Sequence, residues 1–238
     1  MIGRNLAELN PSWIAPRHAE LDLTDRAKVT DYLNHIKPEL IIHCASNDDE
    51  ICLYDNLRMF LNLAESRIPM IIFSTGREIE DRPDKVGEYI LSKHITQELA
   101  LSKYNHITVI KLWGCFGKYE KDTRFIKDNF LRVKAGLPII VRENKLFSYK
   151  YINNLASNIE FIMGDIKSQV IPLVDWTYSL LDYAKMIKKI TGSPHDIIVE
   201  GENFYYSYVG HGEKKFISYS AEWAIEDYWR DFNTYPGA

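Results

Sequence analysis

Along this 238-residue chain, short unbroken apolar runs alternate with stretches whose apolar residues recur at helical spacing. Leu40 to Ser46 (LIIHCAS) is an apolar run that closes on small and polar residues, the pattern of a strand buried on both faces. Met70 to Thr75 (MIIFST) and Ile107 to Trp113 (ITVIKLW) repeat it, the second ending at Gly114, and LFSYKYI and VIPLVD are further strand candidates. Between them, Asp55–Ala64 places Leu57, Phe60, Leu61 and Ala64 on one helical face. Glu88 to Lys103 predicts a long helix, Asn153–Met163 another, and Ser179 to Thr191 a third, stopped by Gly192 and Pro194. Strands alternating with helices predict βαβ units and a parallel sheet. Ligands of such sheets bind beyond the carboxyl ends of the strands. Here those ends carry Ala45-Ser46, Ser74-Thr75-Gly76 and Gly114, small or hydroxyl residues that let backbone approach a ligand. Small residues also open ordinary βα loops, so this alone assigns no site.

Composition narrows the function classes. Hydrophobic residues make up 46% and charged residues 26%, as in ordinary globular proteins. A net charge of -4 gives no electrostatic footprint for nucleic acid. No stretch approaches the roughly 18 apolar residues of a membrane span, and MIGRNLAELNPSW lacks the apolar core and cleavage site of a signal peptide. Cys44, Cys52 and Cys115 are too few and too scattered for a disulfide framework or a zinc site, and they fit the reduced thiols of a cytoplasmic protein. The expectation is a cytoplasmic protein with no metal and with neither nucleic acid nor membrane as partner. Cys115, beside Gly114, and His43, within a buried strand, read as packing residues, the histidine with its hydrogen bonds satisfied.

The most informative constellation is Tyr89-Ile-Leu-Ser-Lys93. On a helix, residues four apart share a face. A lysine so placed favours the phenolate of its neighbour and can donate to ribose hydroxyls. The tyrosine can then pass a proton to or from a carbonyl or alcohol. The spacing itself arises by chance in a chain this rich in Tyr and Lys, and a solvated helix face is the plainer explanation of it. Position adds the weight: the pair opens a helix that follows a strand ending in Ser74-Thr75, so hydroxyl, phenol and ammonium can converge at one sheet edge.

In this order the segments resemble the extended short-chain dehydrogenase/reductases, the NAD-dependent epimerase/dehydratase group, and above all members that modify nucleotide sugars in bacterial surface-polysaccharide pathways. MIGRNLAEL resembles the end of the glycine fingerprint and its helix, and AELDLTD the Asp-Leu segment at the adenine. LIIHCAS, DNLRMFLNLAE, FSTGREIE, YILSK, LWGCFGKYE and FSYKYINNLA follow the family's later motifs in sequence. The resemblance covers nearly the whole chain. It implies an α/β fold, a doubly wound parallel sheet (Rossmann-like) with a small interleaved C-terminal substrate lobe. Residues 1–116 and 146–186 would form the dinucleotide-binding domain, and 117–145 and 187–238 the lobe. It implies an NAD or NADP cofactor, a nucleotide-sugar substrate and a homodimer. Tyr89 would be the general acid/base, Lys93 would bind the nicotinamide ribose and tune Tyr89, and Thr75 would hydrogen-bond the reacting oxygen. Gly3, Asp22, Leu23, Ala45 and Ser46 would line the cofactor site, and Arg124 and Asn129 would meet the sugar diphosphate. For that last pair, polar surface is the plainer explanation.

The chain departs from the family in places. It opens at Met1-Ile2-Gly3, where the family has a first strand and two further fingerprint glycines, so the resemblance implies a chain lacking both and, as it stands, binding NAD(P) weakly and turning over little. Gly76-Arg77 stand where family dehydratases carry Asp-Glu, which speaks against dehydration, and Asn153-Asn154 replace two late aspartates. The segment from Thr75 to Tyr89 is short for the family. Asp22 would alternatively N-cap the next helix. Arg17-His18, after what would be a second strand, leave NAD and NADP equally open. The expected activity is an NAD(P)-dependent nucleotide-sugar epimerase or reductase. The alternative is a non-catalytic nucleotide-sugar-binding or assembly protein that kept the fold.

Overall fold

The computed structural model describes residues 1–77, 86–201, 209–211 and 219–234. Part of the segment between Thr75 and Tyr89, and parts of the expected 187–238 lobe, lie outside the described residues. The chain divides into two compact units, one formed by 2–112 and 158–172, the other by Met1, 113–157 and 173–238. Residues 113–116, 146–157 and 173–186, grouped by the sequence with the dinucleotide-binding part, thus pack with the second unit.

The first unit holds a sheet whose order is β1 (Ile41–His43), β2 (Met70–Thr75), β3 (Ile107–Leu112) and β7 (Gln169–Leu173). β2 runs parallel to both β1 and β3, with Ile41 opposite Met70 and Thr75 opposite Leu112. The crossovers carry α3 (Leu53–Ala64) and α4 (Glu88–Lys103), giving the predicted βαβ units. The first five residues of β2 are buried, as a continuous apolar run in a central strand requires. On α3 the buried face is Asn56, Phe60, Leu63 and Ala64, one step round from the predicted one, with Leu57 and Leu61 half-buried beside it. The buried stripe of α4 is Ser92, Thr96 and Ala100, small residues at four-residue spacing that let the helix lie close to its neighbours. Phe60, Leu63, Met70, Ile72, Ile107 and Val109 form the core with Val29 and Leu33 of α2 (Arg26–Ile36).

Two expectations are corrected at the amino-terminal side. Among the described residues no strand precedes β1; after α1 (Ile2–Leu9) the chain runs through turns and coil to residue 25. Pro11 and Pro16 bracket the segment expected as a second strand, and each lacks the N–H that a ladder needs. The N-cap of α2 is Asp25, whose side chain accepts from Lys28 N, and not Asp22. Asp22 instead closes its own turn, Oδ1 accepting from Thr24 N at 2.9 Å and from the Thr24 hydroxyl at 2.7 Å.

The strand expected through Trp113 stops at Leu112, the last residue of this stretch of the first unit. In the second unit a new strand, β4 (Gly114–Phe116), then pairs in parallel with β6 (Leu146–Tyr151), which pairs antiparallel with β8 (Trp176–Ser179). β5 (Ile140–Val141) and β9 (Ile198–Val199) form a short parallel pair. The helices α5 (Phe125–Lys134), α6 (Ile152–Ile162), α7 (Leu180–Thr191) and α8 (Ala221–Thr234) complete the chain. α7 starts and stops as its sequence predicts: the Ser179 side chain accepts from Asp182 N, and Gly192 takes the left-handed conformation at φ 67°.

Candidate active site

The carboxyl ends of β1 and β2 and the first turn of α4 carry the candidate residues of the first unit. Thr75 ends β2, held in register by Gly76 N donating to Leu112 O at 2.6 Å. Its Oγ1 accepts from Arg77 N at 3.2 Å. The Arg77 carbonyl accepts in turn from His94 Nε2 at 2.7 Å, which fixes that nitrogen as the protonated one. The segment after β2 is thereby tied to α4 at the residue next to Lys93.

Tyr89 stands in the first turn of α4 and is 37% exposed, open enough to meet a ligand. Lys93 Nζ lies 5.5 Å from the centre of its ring, within cation–π range. Burial pulls the Lys93 ammonium down to about 8. At pH 7 it is therefore still mainly charged and can favour a neighbouring phenolate. Lys93 lines a small cleft together with Ala45, Asn56, Phe73, Ser92 and Thr96. His43, at the end of β1, is pulled down to about 3 by burial, with the charge of Lys93 acting in the same direction, so it is a neutral imidazole. Contrary to expectation it is not fully satisfied, since its buried Nδ1 has no hydrogen-bond partner among the described residues.

The structure brings Thr75, Tyr89, Lys93 and Ala45 into one unit at the strand ends. Ser46 follows Ala45 on the exposed loop beyond β1. Gly3 packs α1 against the end of β1: a Cβ there would lie 2.9 Å from Cys44 Cβ. Leu23 borders the core of the same unit, its carbonyl accepting from Asn62 Nδ2 at 2.9 Å. Hydrogen bonds from Thr24 hold Asp22 below the usual carboxylate range.

Arg124 and Asn129 belong to the second unit. Arg124 is exposed at the N-cap of α5 and makes no side-chain cap bond. Asn129 is 0% exposed, so polar surface is not the explanation of it. Its Nδ2 donates to Phe125 O and Ile140 O, and its Oδ1 accepts from Ile140 N at 2.8 Å. Its amide thus ties α5 to β5. Cys115 is half-buried and its thiol is pushed up to about 12 by desolvation, which makes it no nucleophile at neutral pH.

Sequence reasoning missed three residues. Glu88 accepts from Cys52 N and Leu53 N at the start of α3. Asn56 donates to Ser92 Oγ and Asn47 O. His94 is the third. All are polar residues on otherwise ordinary helix faces, and only the position next to Tyr89 and Lys93 could have drawn attention to Glu88 and His94.

No family model matches the chain. It is 22% identical over 245 residues to GDP-L-colitose synthase of Yersinia pseudotuberculosis, an alignment that covers 81% of this chain and 79% of that protein. Among solved structures, a GDP-L-fucose synthetase from Naegleria fowleri superposes with a TM-score of 0.80 at 14% identity, covering 100% of this chain and 92% of the other. The dTDP-4-dehydrorhamnose reductase of Bacillus anthracis, in complex with NADP, superposes with a TM-score of 0.78 at 18% identity, covering 97% and 95%. The chain therefore shares the Rossmann-like α/β fold of these proteins, built on a parallel sheet.

Proposed function

We propose that this chain is an NAD(P)-dependent nucleotide-sugar epimerase or reductase of a surface-polysaccharide pathway, with Thr75, Tyr89 and Lys93 as its catalytic residues. The observation that carries the reading is the placement of Lys93 over the ring of half-exposed Tyr89, on the helix that follows the strand ending in Thr75. The nicotinamide cofactor, when bound, supplies or accepts the hydride. The residues present fit its ribose end, because Ala45 and Lys93 line one cleft, a small side chain beside an ammonium donor. Gly3, Asp22, Leu23 and Ser46 would complete the cofactor site, with Gly3 in the first turn of α1, where helix N–H groups favour phosphate.

In the reducing direction Tyr89 gives its phenolic proton to the sugar carbonyl oxygen as that carbon gains hydride, and Lys93 stabilises the phenolate left behind. In the oxidising direction the phenolate takes the hydroxyl proton. The Thr75 hydroxyl holds the reacting oxygen. The reading includes exposed Arg124 at the sugar diphosphate, with buried Asn129 holding α5 to β5 behind it and not meeting the diphosphate itself, and a homodimer in solution, which sedimentation velocity would check. Both compared enzymes that make GDP-linked sugars suggest GDP-sugars as the first substrates to try.

Replacing Tyr89 by Phe lowers kcat by roughly 10²- to 10⁴-fold, as expected for loss of a general acid/base. Near-normal turnover removes Tyr89 from the chemistry. A thermal-shift screen separates the enzyme from a non-catalytic sugar-nucleotide binder: the enzyme is stabilised by NAD(H) or NADP(H), the binder by nucleotide sugar alone.

A further inference from the structure

Glu88 spends its carboxylate on a helix other than its own. Its Oε2 accepts from Cys52 N at 2.7 Å and from Leu53 N at 2.9 Å. Those N–H groups begin α3, and the first turn of a helix has no partners of its own for them. Cys52, in the N-cap position, makes no side-chain cap bond. A carboxylate supplies the missing acceptor and also matches the positive end of the helix dipole.

A second tie runs beside the first. The Ser92 hydroxyl donates to Tyr89 O at 2.7 Å and accepts from Asn56 Nδ2 at 3.1 Å. The same Asn56 amide donates to Asn47 O at 2.9 Å and accepts from Asn47 N at 2.8 Å. Both ties join the loop that carries Ala45 and Ser46 to the first turn of α4. Glu88 directly precedes Tyr89, so the Tyr89 backbone cannot drift without stretching the two bonds to α3.

We propose that Glu88 is a positioning residue for Tyr89 and Lys93: by capping α3 from the first turn of α4, it locks the loop after β1 against that pair. The inference rests on the role proposed above for Tyr89 and Lys93, and extends it to a residue outside the reacting set.

The test compares the full chain with Glu88→Ala and Glu88→Gln. In Glu88→Ala the Cys52 and Leu53 amides exchange with deuterium about tenfold faster, while Glu88→Gln, which keeps one acceptor oxygen, falls between. A second readout is the titration of ¹³C-dimethylated Lys93, its signal assigned with Lys93→Arg. The freed loop rehydrates the ammonium, so its midpoint moves up from about 8 toward the ordinary lysine value in Glu88→Ala. A change in overall stability alone would leave that midpoint in place well below the unfolding temperature. Unchanged amide exchange, or an unmoved Lys93 midpoint, overturns the proposal. Affinity for NAD or NADP is expected to fall about tenfold in Glu88→Ala. If the unsubstituted chain binds neither, the cofactor reading fails, while amide exchange and the Lys93 titration still decide the role of Glu88.

Discussion

At the scale of single residues, the most consequential pair is one that sequence reading does not single out. Lys150 Nζ and Asp175 Oδ1 lie 2.6 Å apart with both side chains 0% exposed. Asp175 Oδ2 also accepts from Tyr151 N at 2.9 Å and Asn154 Nδ2 at 3.1 Å. Burial pulls the Lys150 ammonium down and the aspartate opposes it. Lys150 sits in an alternating run, where a lysine reads as a solvent-facing position, and Asp175 is 25 residues away, so only the fold joins them. Removing one partner strands the other charge. Asp175→Ala is therefore expected to cost about 3–5 kcal/mol in urea denaturation, and joint replacement by Met and Leu much less. A cost for Asp175→Ala below about 1 kcal/mol would mean that water reaches Lys150.

At the scale of elements, legibility followed how locally each element is determined. Met70–Thr75 and Glu88–Lys103 have the bounds their own residues predict, and α7 begins and ends at its Ser and Gly caps. β4 was not legible, because the break after Leu112 is set by distant rings: a Cβ on Gly114 would lie 2.4 Å from Phe147 Cε1 and 2.7 Å from Tyr149 Cδ1. The cap of α3 was equally hidden, since its acceptor arrives from 35 residues further on. Among the candidate residues, the shared strand-end placement of Thr75, Tyr89, Lys93 and Ala45 could be read from element order alone. The burial of Asn129 could not, because it depends on the backbone of Ile140. The close approach of α1 to β1 gives a prediction at this scale. Ala is a better helix former than Gly by roughly 0.5–1 kcal/mol, yet Gly3→Ala sets a methyl 2.9 Å from a Cβ fixed to the backbone of Cys44. Overpacking of this kind costs about 1–3 kcal/mol and outweighs the propensity gain. Gly3→Ala is thus expected to lower the urea midpoint; a raised midpoint would show that α1 can move away from β1 freely.

At the scale of the whole molecule, two buried groups give stability opposite slopes on either side of about pH 8. Glu120, in the second unit, is 4% exposed, and neither its carboxyl oxygens nor the neighbouring Tyr228 hydroxyl has a hydrogen-bond partner of good geometry among the described residues. Burial pushes its carboxyl up to about 8, against weaker opposing effects from Tyr228, Arg124 and Lys127. Between the ordinary value of 4.5 and about 8, the folded protein holds a proton at Glu120 that the unfolded chain has released. This contribution is complete below pH 4.5 and is lost as pH rises to about 8, with a slope of at most about 1.4 kcal/mol per pH unit. Lys93, in the first unit, works the other way. Its folded value near 8 lies below the ordinary 10.5, so between those limits the unfolded chain binds the extra proton and stability rises with pH. Thermal denaturation is expected to show the Glu120 decline from about pH 6.5 to 8 and the Lys93 rise from about 8 to 9; below 6.5 the lowered His43 offsets the decline, and above 9 the raised thiols of Cys44 and Cys115 offset the rise. Glu120→Gln, uncharged and nearly the same shape, should flatten only the decline, and Lys93→Met only the rise. A decline that persists in Glu120→Gln would show that other groups carry it and that water reaches the Glu120 carboxylate in the folded protein.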